Sequence, residues 1–236
     1  MIKNLLQNYI KDYKITLTEN QYEQFQKYFE LLAEWNEKMN LTAITDESGV
    51  ALKHFADSLS LLNFVDIPQN SSLADVGTGA GFPGVVLKIA RPDIKLTLID
   101  SLNKRLVFLG EVCAQLGIEA ELIHSRAEDG ARDEKLRENF DFAVSRAVAR
   151  MNVLSEYCLP YVKVGGAFCA MKGAQANEEF KESLNAINTL GGKLENKYFF
   201  ELPENGGERA IAVVRKVKNT PQKYPRQLGK IKAKAL

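Results

Sequence analysis

A glycine-rich segment in the first half of the chain has the residue types and spacing of a nucleotide-binding turn. It reads DVGTGAGFPG over residues 75–84 and lies between a short apolar run, residues 73–76, and an apolar stretch, residues 85–90. Glycines at a strand-to-helix turn let a ligand approach the backbone and the N–H groups at the helix start. The segment therefore predicts a binding turn between a buried strand and a helix.

The glycine spacing alone fits two cofactor classes. Gly79, Gly81 and Gly84 match the dinucleotide fingerprint, whereas Asp75 with Gly77, Gly79 and Gly81 matches the acidic-x-Gly-x-Gly-x-Gly pattern of S-adenosylmethionine enzymes. Either pattern by itself is weak evidence.

Residues beyond the turn favour a methyltransferase over a dehydrogenase. Asp100, 19 residues after Gly81, ends the next apolar run, where a carboxylate accepts hydrogen bonds from the ribose of either cofactor. Asp75 suits a cofactor with a cationic amino-acid end, and the SRAE segment at residues 125–128 can line an adenine pocket. The alternative for Glu128 is a solvated loop charge.

The end of the fourth apolar run indicates the kind of acceptor. Residues 145–150 read SRAVAR, without the Asn/Asp-Pro-Pro-aromatic segment of adenine amine methylation, and Cys158 does not follow a proline as a pyrimidine-C5 nucleophile usually does. The remaining chemistry fits an acceptor that is already nucleophilic, such as guanine N7, for which catalysis is mainly positioning. Arg146 is then the candidate catalytic residue, as a hydrogen-bond donor to cofactor or base. Its alternative is a salt bridge across strand ends.

The elements that must position these residues form a helical segment followed by an α/β domain. Residues 1–66 read as a helical cap, with a capping box at Thr18 and Gln21 and a second helix over residues 47–64. Residues 67–236 alternate apolar runs with helical patterns, which predicts a doubly wound, Rossmann-like parallel sheet. Two further strands, residues 197–202 and 209–214, predict a terminal antiparallel hairpin, for seven strands in all.

Composition describes an ordinary globular protein and limits the alternatives. The 236 residues are 45% hydrophobic and 26% charged, and the three cysteines form no Cys-x-x-Cys pair. We expect buried, inert thiols, no metal site, a cytoplasmic location, and neither export nor a membrane span.

Charge is distributed unevenly along the chain. The last 22 residues hold eight basic and no acidic side chains, which leaves 23 basic against 30 acidic in the rest, a net charge of −7. A basic tail on an acidic body is typical of a segment that binds RNA phosphates. The alternative is a solubilising, frayed terminus, which has the same composition.

Across nearly its whole length the chain resembles the bacterial 16S rRNA guanine-N7 methyltransferase family, also known as glucose-inhibited division protein B. The segments that carry the resemblance are WNEKMNLT at residues 35–42, HFADS at 54–58, the glycine turn, RAE at 126–128, SRA at 145–147 and KG at 172–173.

The resemblance implies a class I S-adenosylmethionine-dependent fold and methylation of N7 of one guanine of the decoding region, guanine 527 in the family. It also implies cofactor contacts at the positions of Gly77, Phe82, Ala127, Glu128 and Arg146.

The implied partner is 16S rRNA or the small ribosomal subunit, bound by a monomer. Lys172, Arg209 and Arg226 are the expected substrate-binding residues. Asn40, His54 and Asp57 in the cap segments have an alternative as helix-to-helix hydrogen bonds. Two other functions remain open: a small-molecule methyltransferase, and a non-catalytic RNA-binding module for ribosome assembly.

Overall fold

The computed structural model describes residues 1–236 and contains one seven-stranded sheet. The strands are β1 (Ser72–Val76), β2 (Lys95–Asp100), β3 (Ala120–His124), β4 (Phe140–Arg146), β5 (Val162–Gly173), β6 (Gly192–Glu201) and β7 (Glu208–Lys216). Their order is β3-β2-β1-β4-β5-β7-β6, with β1 to β5 parallel and β7 antiparallel to both neighbours. The predicted fold class and terminal hairpin are confirmed.

The helices cover both faces of this sheet. They are α1 (Ile2–Tyr9), α2 (Glu19–Met39), α3 (Glu47–Val50), α4 (Asp57–Phe64), α5 (Gly84–Ala90), α6 (Asn103–Leu116), α7 (Ala127–Gly130), α8 (Met151–Cys158), α9 (Ala176–Glu182), α10 (Leu184–Thr189) and α11 (Leu228–Ala233). A π-helical turn, Ala51–Ala56, joins α3 to α4, so the helix predicted over residues 47–64 is one helical run with a wider central turn. None of the helices is long and apolar enough to cross a membrane.

Alternating strand residues divide the core into two layers. Leu73 and Val144 point to the layer that contains α5, α6 and the N-terminal helices, whereas Ala74 and Ala143 face the layer of α8 to α10. The first 66 residues thus share a core with the sheet, and the domain boundary after residue 66 stays a prediction.

Helix α2 is tied to the helices that follow β1 and β2. The predicted capping box forms: Gln21 N donates to Thr18 Oγ1 at 3.3 Å, and the Gln21 side chain accepts from Thr18 N. Gln21 also donates to Ile89 O at 2.7 Å and Gln24 to Leu116 O at 2.8 Å. These amides satisfy carbonyls that the last turns of α5 and α6 leave free, so α2 is fixed directly behind the glycine turn.

The basic C-terminal tail packs on the body of the protein, and three of its eight basic side chains are paired there. Arg215 pairs with Glu195, and Lys216 is fully buried against Glu138 at 3.0 Å, where burial lowers its pKa to about 8. The guanidinium of Arg226 binds the buried Glu156 carboxylate, with contacts of 2.6 to 3.2 Å. These hydrogen bonds anchor the tail, and the expectation that Arg226 binds substrate stays a prediction.

Candidate active site

The glycine turn lies where the order of the strands reverses. Strand β1 pairs with β2 on one side and β4 on the other, and ligands of open α/β sheets bind outside the carboxyl ends of strands at such a switch point. Gly77, Gly79 and Gly81 all have positive φ, between 61° and 98°. A Cβ on Gly81 would also lie 2.4 Å from the Tyr28 hydroxyl of α2, which donates to Ala80 O. The turn therefore requires glycine for its backbone shape and for its contact with the cap.

Asp75 supports the turn from beneath. Its side chain is fully buried, and Oδ2 accepts from Thr78 Oγ1 and from Gly84 N, both at 2.8 Å. Oδ1 has no partner, and burial raises the pKa of this carboxyl to about 6. Asp75 does not line the adjoining cavity. Asp75 therefore holds the shape of the turn, and its contact with the cofactor's amino-acid end stays a prediction.

A cavity of about 540 Å³, here called the glycine-turn cavity, opens above the turn. That volume is ordinary for a site that encloses a nucleoside-sized ligand. Its walls contain seven of the predicted cofactor residues: Gly77, Gly79, Phe82, Asp100, Ala127, Glu128 and Arg146. Gly81 is not among them, because it faces Tyr28.

Two carboxylates in this cavity have the features of an adenosine site. Asp100 accepts from Gly79 N and Leu102 N, both at 2.9 Å, and from Arg105 at 3.3 Å, which leaves acceptor capacity for about one further donor. Glu128 is only 4% exposed, and its Oε1 has no hydrogen-bond partner. A buried acceptor without a partner is costly unless a ligand supplies the donor. Glu128 is thus not a solvated loop charge, and the two carboxylates fit a ribose and an adenine amino group.

Arg146, at the end of β4, is held by the cap. Its Nη1 donates to Asp57 Oδ2 at 2.8 Å and to the Lys53 carbonyl at 3.1 Å. Asp57 Oδ1 also accepts from Arg209 Nε at 3.2 Å, so one buried carboxylate holds two arginines. The Arg146 salt bridge therefore runs to the π-helical turn and α4, not across strand ends.

Aromatic rings complete the surroundings of Arg146. Its guanidinium lies 5.2 Å from the centre of the Phe82 ring, and His54 stacks on that ring at 4.5 Å. Burial, with the charge of Arg146, lowers the pKa of His54 to about 4. His54 is therefore a neutral imidazole at physiological pH, and the cation at this position is the arginine.

A second cavity of about 530 Å³, here called the basic cavity, lies on the other side of Arg146. It is lined by four cationic side chains and two carboxylates: Lys53, Arg146, Lys172, Arg209, Asp57 and Glu179. Lys172 is held by Glu179 at 2.7 Å and by Ala149 O at 2.8 Å. The predicted substrate residues Lys172 and Arg209 thus come together, while Arg226 lies elsewhere.

The two cavities share three residues, His54, Arg146 and Ala147, here called the seam. Ala147 has φ of 57°, a left-handed conformation that is uncommon for a residue with a Cβ and that recurs at functional sites. A ligand in one cavity would therefore contact a ligand in the other at the end of β4.

Sequence reasoning missed several residues of these walls. For His54 and Asp57 the sequence indicated only the family resemblance of their segment and the alternative of helix-to-helix hydrogen bonds. Three further lining residues were not singled out as site residues: Lys53, Leu228 and Lys232. Asn40 lines neither cavity; it ends α2 in a left-handed conformation. The HFADS segment was the available signal, since it places His54 and Asp57 three residues apart on one helical face.

The cysteines lie outside both cavities. All three are unpaired and buried as predicted, and burial raises the pKa of Cys113 to about 11 and that of Cys169 to about 12. The structure contains no group of three or more His, Cys, Asp or Glu side chains that could hold a metal ion.

The fold is Rossmann-like and is shared with methyltransferases of known structure. A Thermotoga maritima S-adenosylmethionine-dependent O-methyltransferase superposes with a TM-score of 0.53 at 15% identity, over 80% of this chain and 73% of that one. A predicted O-methyltransferase from Agrobacterium tumefaciens gives 0.54 at 17% identity, over 67% and 79%. At these identities the likeness concerns the fold.

Sequence comparison identifies the family. The GidB family profile, described as rRNA small subunit methyltransferase G, matches residues 21–205. Proteins named ribosomal RNA small subunit methyltransferase G are 54% identical in Leuconostoc citreum, over 93% of both chains, and 51% identical in Brevibacillus brevis, over 91% of both. The chain belongs to the rRNA small subunit methyltransferase G family.

Proposed function

We propose that the chain transfers a methyl group from S-adenosylmethionine to N7 of one guanine of 16S rRNA, free or within the small ribosomal subunit. It acts as a monomer, and in the cytoplasm, where its rRNA substrate is made. The observation that carries this proposal is the seam, since a methyl donor in the glycine-turn cavity and a base in the basic cavity would meet there. The family to which the chain belongs supports the rRNA substrate.

The residues present fit S-adenosylmethionine. Glu128 Oε1 would accept from the adenine amino group, and Asp100 would accept from a ribose hydroxyl. Gly79 would leave room beside them, because a Cβ there would point into open space. When bound, the cofactor supplies an electrophilic methyl group on a sulfonium.

Transfer to guanine N7 requires positioning and no general base. The N7 lone pair would form a bond to the methyl carbon that the bound donor supplies. The carbon–sulfur bond would break with its electrons on sulfur, and the positive charge would pass to the guanine. No proton is removed from N7, so the step needs no base at the seam. Arg146 would orient the base through hydrogen bonds, and Asp57 offsets the charges of Arg146 and Arg209 beside a base that becomes cationic.

The lining of the basic cavity favours a polyanion over a neutral metabolite. The lining holds four cationic side chains against two carboxylates, and the exposed Lys53 has no ion-pair partner, so RNA phosphates would bind there with release of counterions. No cysteine lines either cavity, so the structure offers no thiolate for covalent attack on a pyrimidine.

The test is methyl transfer to small ribosomal subunits by an Arg146→Ala variant. We expect turnover to fall at least about a hundredfold, the scale for loss of one preorganised hydrogen-bond donor. Arg150→Ala is the matched control, because Arg150 lies four residues further on, is 64% exposed and pairs with Glu182 at the surface. Parental turnover in Arg146→Ala would refute the positioning role, and parental turnover in the control is required.

A further inference from the structure

The C-terminal segment runs from the last strand back along the body of the protein and is fastened to it at several points. Arg137 donates to Thr220 O at 2.8 Å and to Tyr224 O at 2.9 Å, and Arg132 donates to Pro225 O. Arg226 then binds Glu156 of α8. The chain enters α11 immediately after this anchor, so the position of that helix is determined by the body of the protein.

One face of α11 packs on the core, and another borders the glycine-turn cavity. Ile231 is 1% exposed and lies in the core layer of α8 to α10. Leu228 and Lys232 line the cavity, to which Arg126, Glu128 and Tyr157 also contribute. Residues four apart lie on the same side of a helix, so these two side chains form one wall of the cavity.

We propose that α11 is part of the cofactor-binding site, with Leu228 and the aliphatic stem of Lys232 packing against the adenosine end of the ligand. The inference rests on the proposed function and adds a binding element that no part of the glycine motif predicts. Leu228 is partly buried and apolar, and a lysine stem covers apolar surface while its ammonium reaches solvent. The wall suits the flat, largely apolar face of a purine.

This arrangement also places RNA-binding charge beside the cofactor. Lys230 and Lys232 are exposed on α11, and no ion pair engages them. Phosphates bound to these side chains would hold the helix that closes the cofactor cavity. Cofactor binding and RNA binding would then reinforce each other through α11.

The test measures binding of S-adenosylhomocysteine, without turnover, by calorimetry. Three variants are compared with the parental chain: a deletion of residues 228–236, Leu228→Ala, and Lys234→Ala as a control that does not line the cavity. We expect the deletion and Leu228→Ala to weaken binding about tenfold, which is the loss of a little over 1 kcal/mol of contact. Lys234→Ala should bind as the parental chain does.

The outcomes separate this inference from the proposed function. Failure of the parental chain to bind S-adenosylhomocysteine would overturn the proposed cofactor itself. Parental affinity in both Leu228→Ala and the deletion, or equal weakening by Lys234→Ala, would overturn the role of α11. If the deletion does not fold, judged by its thermal melting, Leu228→Ala alone decides.

Discussion

Asp57→Ala removes the carboxylate that holds both arginines of the active site. Asp57 is 4% exposed, and its two oxygens accept from Arg146 and Arg209, whose side chains are 13% and 21% exposed. Removal of one partner from a buried ion pair costs about 3–5 kcal/mol, because the remaining charge stays desolvated. Both arginines keep some solvent contact and a backbone acceptor, Lys53 O and Glu208 O respectively. We therefore expect the lower end, a loss of about 3 kcal/mol.

Denaturant and thermal unfolding measure this loss directly. For a chain of this size, about 3 kcal/mol corresponds to a melting temperature lower by about 6–12 °C. Glu182→Ala is the control: Glu182 pairs with Arg150, but the two side chains are 55% and 64% exposed, and an exposed pair contributes about 1 kcal/mol or less. A loss in Asp57→Ala no larger than that of Glu182→Ala would refute the reasoning from burial. Turnover should fall as well, because Arg146 loses its main partner.

Three further predictions concern the glycine turn and its pH dependence. Gly81→Ala should lower the melting temperature and abolish S-adenosylhomocysteine binding, since it adds a Cβ at positive φ against the Tyr28 hydroxyl; parental binding would contradict this. The pKa of His54 is about 4 in the folded chain, against 6.5 for a free histidine. Between these values only the unfolded chain gains the proton, so the free energy of unfolding should fall by roughly 3 kcal/mol as the pH falls through that interval. Asp75, with its pKa raised to about 6 from 3.8, acts oppositely: its protonation in the folded state adds roughly 3 kcal/mol over nearly the same interval. Asp75→Asn keeps only the destabilising titration of His54, and His54→Gln keeps only the stabilising titration of Asp75. The free energy of unfolding should therefore fall more steeply on acidification in Asp75→Asn than in His54→Gln. Equal pH dependence of the two variants from pH 7 to pH 4.5 would contradict both assignments.

The sheet and the glycine turn could be predicted because their signals are local. Apolar runs alternating with helical patterns identify buried parallel strands, and Asp100 follows its strand directly. The carboxyl ends of parallel strands meet at one edge, so Asp100, Glu128 and Arg146 were expected together from chain order alone. The three residues line one cavity in the structure.

The acceptor side could not be predicted because it depends on distant pairings. Asp57 and Arg209 are separated by 152 positions, and their contact requires both the π-helical turn and the register of β7. Composition also did not show which basic side chains of the tail are free to bind RNA, because a count of charges does not identify ion pairs. Lys216 and Arg226 are paired with carboxylates of the body. The sequence pattern of Asp75 also did not show that its carboxylate accepts from Thr78 and Gly84 within the turn.

The most direct test identifies the nucleoside that the protein methylates. Purified protein is incubated with methyl-labelled S-adenosylmethionine and small ribosomal subunits from cells that lack the endogenous modification, and the RNA is digested and its labelled nucleoside identified. Label in 7-methylguanosine at a single position of 16S rRNA is the predicted result. Label in another nucleoside, or no label in RNA from protein that binds S-adenosylhomocysteine, would contradict methyl transfer to guanine N7 across the seam.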